Sequence, residues 1–185
     1  MSLATPVIVD RIFPKSLATN IALVFGGAAL TALAAQIQIP MWPVPMTMQT
    51  FAVLLVAAAL GAKRGALSLT VYLAMGAAGL PVFAGAKSLT GVLPTAGYLV
   101  GFVAAAALVG FLASRGFTKN PFKVALSFAL GSVTIYAFGV SGLMIALGLD
   151  VQAAITAGVI PFLIGDAVKA ALAAALLPAA WKLTK

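Results

Sequence analysis

The chain alternates long uncharged apolar runs with short connections that hold most of its basic residues, and this alternation limits its possible folds more than any other feature. The first run extends from Leu17 to Ala35. About 20 consecutive apolar residues span the hydrocarbon of a bilayer as a helix, so a run of this length reads as a crossing. Ala32-Leu-Ala34 resembles a signal-peptidase site, but the run exceeds a secretory core and further runs follow, so the first helix is expected to stay uncleaved. Composition agrees: 8% of residues are charged and 63% hydrophobic, against roughly 25% charged in a soluble domain. The length leaves room for at most about six or seven crossings with short loops, and so for one bundle.

What the chain lacks narrows its chemistry. It has no Cys, His or Glu, and its acidic residues are Asp10, Asp150 and Asp166. Thiolate and imidazole metal sites, Cys/His and Ser/His catalysis and disulfides are thereby excluded, and no pair of carboxylates is placed for acid/base work. An enzyme is not expected, nor a metal or cofactor. Gly85-Ala-Lys-Ser88 lacks the glycines of a phosphate loop, so the chain is not expected to hydrolyse ATP by itself. The formal charge of +8 is scattered over loops without interleaved aromatics, which argues against nucleic acid.

Along the chain, the apolar runs and their breakers predict an all-α membrane protein: a single domain, 1–185, built as a six-transmembrane-helix bundle. The helices are expected at about 17–36, 47–61, 65–81, 96–114, 123–147 and 161–180. Small residues recur four apart on the first, at Ala18/Ala22, Ala28/Ala32 and Gly27/Thr31/Ala35, a pattern that permits close helix approach. Pro40, Pro43 and Pro45 make 36–46 a loop, with Trp42 as an interfacial aromatic. Residues 82–95 are too polar to span; Phe83, Leu89, Val92 and Leu93 argue for a folded cover. Gly97 and Gly101 offer another close-packing face, with Tyr98 beside them as a hydroxyl or an interface anchor. Asp150 is placed as an N-cap, and Pro161 as a first-turn residue of the last helix.

The basic residues set the orientation. Arg11, Lys15, Lys63, Arg64, Arg115, Lys119, Lys123, Lys182 and Lys185 fall on one side of such a bundle, and Lys87 on the other. By the positive-inside rule both termini are then cytoplasmic, in the cell membrane, and the 36–46 and 82–95 loops face outward.

Against this background Asp166 and Lys169 stand out, because each would cost roughly 2.5–3.5 kcal/mol at the centre of a membrane helix unless compensated. Their i, i+3 spacing places them on one helix face. A pair that merely fixes helix packing is the plainer alternative; the favoured reading is a polar site about 8–12 Å below the outer surface, the floor of an outward-facing substrate pocket.

Four segments in order then resemble a known family: Pro43-Val-Pro-Met-Thr-Met-Gln-Thr-Phe51, Gly79-Leu-Pro-Val-Phe-Ala-Gly85, Pro94-Thr-Ala-Gly-Tyr98 and Gly165-Asp-Ala-Val-Lys169. Together they are similar to the BioY family, the biotin-specific S components of energy-coupling factor (ECF) transporters. The resemblance implies biotin as the substrate, a transmembrane T subunit and two ATPase subunits as partners, and helix one, with Ala28 and Ala32, as the T-subunit contact. Asp166 and Lys169 would then meet the ureido ring, with Gln49 and Thr47 opposite. Phe83, Phe51 or Tyr98 would line the apolar body, and Lys87 would meet the carboxylate at the mouth. The loop departs from the expected pattern, reading Gly85-Ala-Lys-Ser88 where a more glycine-rich run is expected. A stand-alone biotin transporter working as an oligomer and an ion-coupled small-solute transporter are the alternatives.

Overall fold

A computed structural model describes residues 7–89 and 93–184. It is mostly helical. After a single turn, α1 (Val9–Ile12), come α2 (Leu17–Gln36), the two-residue strands β1 (Gln38–Ile39) and β2 (Met46–Thr47), α3 (Gln49–Leu60), α4 (Ala62–Ala77), α5 (Ala96–Ser114), α6 (Pro121–Leu147), α7 (Val151–Gly158) and α8 (Leu163–Leu183).

Four stretches among the described residues are long and apolar enough to cross a membrane: Leu17–Gln36, Ala96–Ser114, Pro121–Leu147 and the combined run Val151–Leu183. The two helices between the first and second of these are shorter, 12 residues for α3 and 16 for α4. At 1.5 Å per residue they reach about 18 and 24 Å. The reason lies at their starts and ends. The chain pairs Gln38 with Thr47 and Ile39 with Met46 in a small antiparallel ribbon, which delays α3 to Gln49. Helix α4 stops at Ala77, before Gly79 at φ +92° and Pro81.

Local chemistry fixes the other boundaries. Ser16 Oγ accepts from the Thr19 amide at the start of α2, Asn120 Oδ1 from the Lys123 amide with Pro121 in the first turn of α6, and Asp150 Oδ1 from the Ala153 amide at 2.8 Å. Each satisfies a helix-end donor that has no partner inside the helix. A 3₁₀ turn, Ile160–Phe162, carries Pro161 and joins α7 to α8. Helix α8 therefore starts two residues later than Pro161, and Asp166 sits in its first turn.

The small residues of α2 are used inside the chain. A Cβ on Gly27 would lie 2.6 Å from Ser68 Oγ of α4 and 2.8 Å from Val56 Cγ1 of α3, and Ala28, Thr31 and Ala35 are fully buried. This corrects the assignment of Ala28 to a partner interface: it has no surface left to offer another chain, and Ala32 is half-buried beside it. The N-terminal segment also differs from a simple basic leader, since Val7, Ile8 and Val9 are buried in the core.

One end of the bundle gathers the basic groups. Arg64 bonds Asp10 at 2.6 Å, and the Arg11 guanidinium and Lys119 ammonium lie 5.0 and 4.8 Å from the Trp181 ring centre. Trp181 Nε1 donates to Thr118 Oγ1. These contacts bring α1, the α3–α4 turn, the α5–α6 turn and the end of α8 together. Lys185 lies outside the described residues.

Candidate functional site

At the opposite end, a cavity of about 240 Å³ is bordered by the 40–45 loop, the segment 83–87, residues 93–95, the facing ends of α3, α5 and α8 and the middle of α6. Its floor is a connected polar network. Lys169 Nζ donates to Asp166 Oδ1 (2.9 Å), Thr50 Oγ1 (2.7 Å) and the Thr47 carbonyl (2.9 Å). The Thr50 hydroxyl donates in turn to Asp166 Oδ1 at 3.1 Å, and the Tyr136 hydroxyl donates to Asp166 Oδ2 at 2.6 Å. The two charged side chains are 11% and 10% exposed, so each is compensated where water is scarce. The first turn of α8 adds the favourable end of the helix dipole to the carboxylate.

Counting bonds shows what remains for a guest. An ammonium has three protons, and all three of Lys169's go to protein acceptors. A carboxylate has about four acceptor sites; three are occupied here, leaving roughly one on Oδ2. Asp166 is therefore the group able to accept from a ligand N–H, while Lys169 holds it charged and aimed.

Gln49 and Thr47 lie beside this floor. The Thr47 hydroxyl donates to Gln49 Oε1 at 3.1 Å, Gln49 Nε2 donates to the Tyr72 hydroxyl, and Tyr72 donates in turn to the Val82 carbonyl at 3.1 Å. This chain ties the start of α3 through α4 to the segment that roofs the cavity. Tyr98 contributes its ring to the wall, but its hydroxyl donates to the Gly158 carbonyl at the end of α7, 2.7 Å away. Phe83 also lines the cavity and meets Tyr72 edge to face, with ring centres 5.3 Å apart. Lys87 stands exposed at the rim. Phe51 does not reach the cavity; its ring packs on Phe128 of α6.

Tyr136 joins the sequence candidates at this site; a tyrosine at the middle of a 27-residue apolar helix is misplaced for an interfacial anchor, and that position is its signal. Gln36 has no comparable signature. At the last turn of α2 its Nε2 donates to the Phe83 carbonyl (3.1 Å) and its Oε1 accepts from the Ala86 amide (3.0 Å). Two bonds from one side chain thus pin the roof to α2. Of the cover expected at 82–95, Val92 lies outside the described residues. Gln36→Ala is expected to speed amide exchange at Ala86 severalfold, since each lost bond is worth about 1 kcal/mol; hydrogen-exchange mass spectrometry reads it, and unchanged exchange would mean that the roof is held by other contacts.

The fold and the cavity define a multi-pass helical membrane protein with a partly open, aromatic-walled pocket over a charged floor. The BioY family model matches residues 7–185, and the chain belongs to that family. It is 42% identical over 151 residues to the biotin transporter BioY of Thermotoga maritima, covering 79% of this chain and 86% of that one. To the probable biotin transporter BioY of Pyrococcus horikoshii it is 39% identical over 158 residues, 84% and 92% of the two chains. The fold is also that of a crystal structure of the S-component for biotin from an ECF-type ABC transporter, with a TM-score of 0.79 at 22% identity over 89% of this chain and 92% of that chain.

Proposed function

We propose that the chain is the biotin-binding S component of an ECF-type vitamin uptake transporter, and that biotin is held in the cavity above Asp166. The observation that carries this reading is the pre-organised carboxylate. The ureido ring of biotin presents N–H donors, and Asp166 offers an acceptor already paired with Lys169, Thr50 and Tyr136. The bicyclic body would lie against Phe83 and Tyr98, and the valerate carboxylate would reach toward Lys87 at the rim. Gln49 and Thr47 shape the polar side of the pocket. Binding of labelled biotin to the purified protein tests the reading: saturation at one biotin per chain is expected, and a protein that binds none under native conditions would sink it. Insensitivity of that binding to sodium and to pH separates it from an ion-coupled transporter.

Six crossings with both termini cytoplasmic complete the proposal, with α3 and α4 as the two short spans. Support comes from the clustering of Arg11, Arg64 and Lys119 at the end away from the cavity, where positive charge is retained in the cytoplasm. In intact cells Ser88→Cys should react with an impermeant thiol reagent and Lys123→Cys should not. The reverse pattern would invert the topology and close the pocket to external substrate.

Energy would come from a T subunit and two ATPase subunits. With Ala28 buried, the partner face on α2 moves to its outer side, where Ala18, Ala22, Gly26 and Ala29 are exposed and nothing lies within 4 Å of a Cβ placed on Gly26. Small side chains there allow close helix approach.

A further inference from the structure

A second concavity lies at the other end of α2. It is a groove of about 880 Å³ between α1, the first turns of α2, the α3–α4 junction and the end of α5. Its polar lip carries Lys15, Lys63 and Arg64 with Asp10 as the one carboxylate. Arg64 is already engaged: it bonds Asp10 at 2.6 Å, Asn20 Oδ1 at 3.2 Å and the Leu60 carbonyl at 3.0 Å. Among the described residues Lys15 and Lys63 have no ion-pair partner, and both are exposed. Immediately beyond the lip the wall becomes apolar, with Leu17, Ile21, Phe25 and Leu67 exposed at 76, 51, 56 and 54%.

We infer that, in the chain free of a T subunit, this groove binds one anionic phospholipid, its phosphate between Lys15 and Lys63 and one acyl chain along α2. Two features select a lipid over a soluble anion or a protein segment. Two cations remain unbalanced at a membrane-end lip, where anionic headgroups are concentrated and basic recesses between helices take them. The apolar wall then runs on from the lip along a candidate span, Leu17–Gln36, and Leu17 to Phe25 alone covers about 12 Å at 1.5 Å per residue, close to the roughly 15 Å depth of one leaflet. A phosphate alone leaves that wall uncovered, and an acidic peptide has no alkyl chain to lay on it.

Native mass spectrometry of the purified chain in detergent, titrated with phosphatidylglycerol and with phosphatidylcholine of the same acyl chains, tests this. A single phosphatidylglycerol adduct should be favoured about ten- to thirtyfold, the preference expected of two lysines near a headgroup. Lys15→Gln/Lys63→Gln should abolish the preference and the control Lys119→Gln/Lys123→Gln should retain it. Ile21→Trp, which fills the apolar wall with a membrane-compatible side chain, should weaken both lipids. An unchanged preference in Lys15→Gln/Lys63→Gln, or equal loss in the control, would overturn the site in favour of a diffuse basic surface. Displacement of the lipid by glycerol 3-phosphate would reduce it to an anion site. In cells, a photocrosslinking residue in place of Leu67 should add the mass of a lipid, and a protein-sized adduct instead would mean that a partner chain covers the groove.

Discussion

Lys169→Met is expected to lower the stability of the folded protein by about 3–5 kcal/mol, the usual cost of leaving one member of a buried ion pair alone. The side chain keeps its length, so packing is largely retained and the loss is electrostatic. Without the ammonium, the Thr47 carbonyl and Thr50 hydroxyl lose their donor and Asp166 loses its counter-charge. The tie between α3 and α8 at the floor is then reduced to the Thr50–Asp166 bond. Thermal unfolding in detergent reads this directly; a variant as stable as the parent would show that the network contributes nothing to holding the floor. Asp166→Asn keeps an oxygen that accepts from Lys169 or Tyr136 but leaves the ammonium without its counter-charge, so it too lowers stability. Its effect should also fall on biotin, where a charge-assisted bond worth roughly 1.5–3 kcal/mol is lost, about ten- to a hundredfold in affinity.

The second large effect is expected at the α5–α6 contact, where two backbones meet beside the cavity wall. A Cβ on Gly97 would stand 2.3 Å from the Phe138 carbonyl oxygen and 2.8 Å from Gly142 Cα. Both are backbone atoms of α6, so no side chain can swing aside. Gly97→Val must push the helices apart, and overpacking that costs about 1–3 kcal/mol in a compliant core should here reach or pass the upper figure. Tyr98 is the next residue, and its hydroxyl bond to Gly158 fixes the end of α7; separation would carry the cavity wall with it. Low yield of monodisperse protein and loss of biotin binding are expected together. A variant with normal thermal stability would mean that α5 and α6 are not held at this distance.

Much of this arrangement was legible because membrane helices announce themselves by uninterrupted apolar length, as Leu17–Gln36 and Ala96–Ser114 do. Asp166 and Lys169 were legible for the complementary reason: charge inside such a run demands compensation. What escaped was everything set by pairing across the chain. That Lys169 spends all its protons on Thr47, Thr50 and Asp166 depends on α3 meeting α8, which spacing within α8 cannot reveal. The small residues of α2 looked like a surface for a partner, yet the same pattern serves equally to seat α2 on Ser68 and Val56. Gln36 was silent because a glutamine at a helix end is ordinary until the roof segment is seen to lie over it.

Equilibrium binding of labelled biotin to the purified wild-type protein, beside the double variant Asp166→Leu/Lys169→Met, tests whether biotin is held over the Asp166–Lys169 floor. Removing both charges spares the protein an unpaired one, so the double variant is expected to fold at least as well as either single variant. A folded double variant with biotin affinity reduced at least about tenfold is the predicted result, since the acceptor is gone. Wild-type affinity in that folded variant would contradict the account and move the ureido contacts to Gln49, Thr47 and Tyr98.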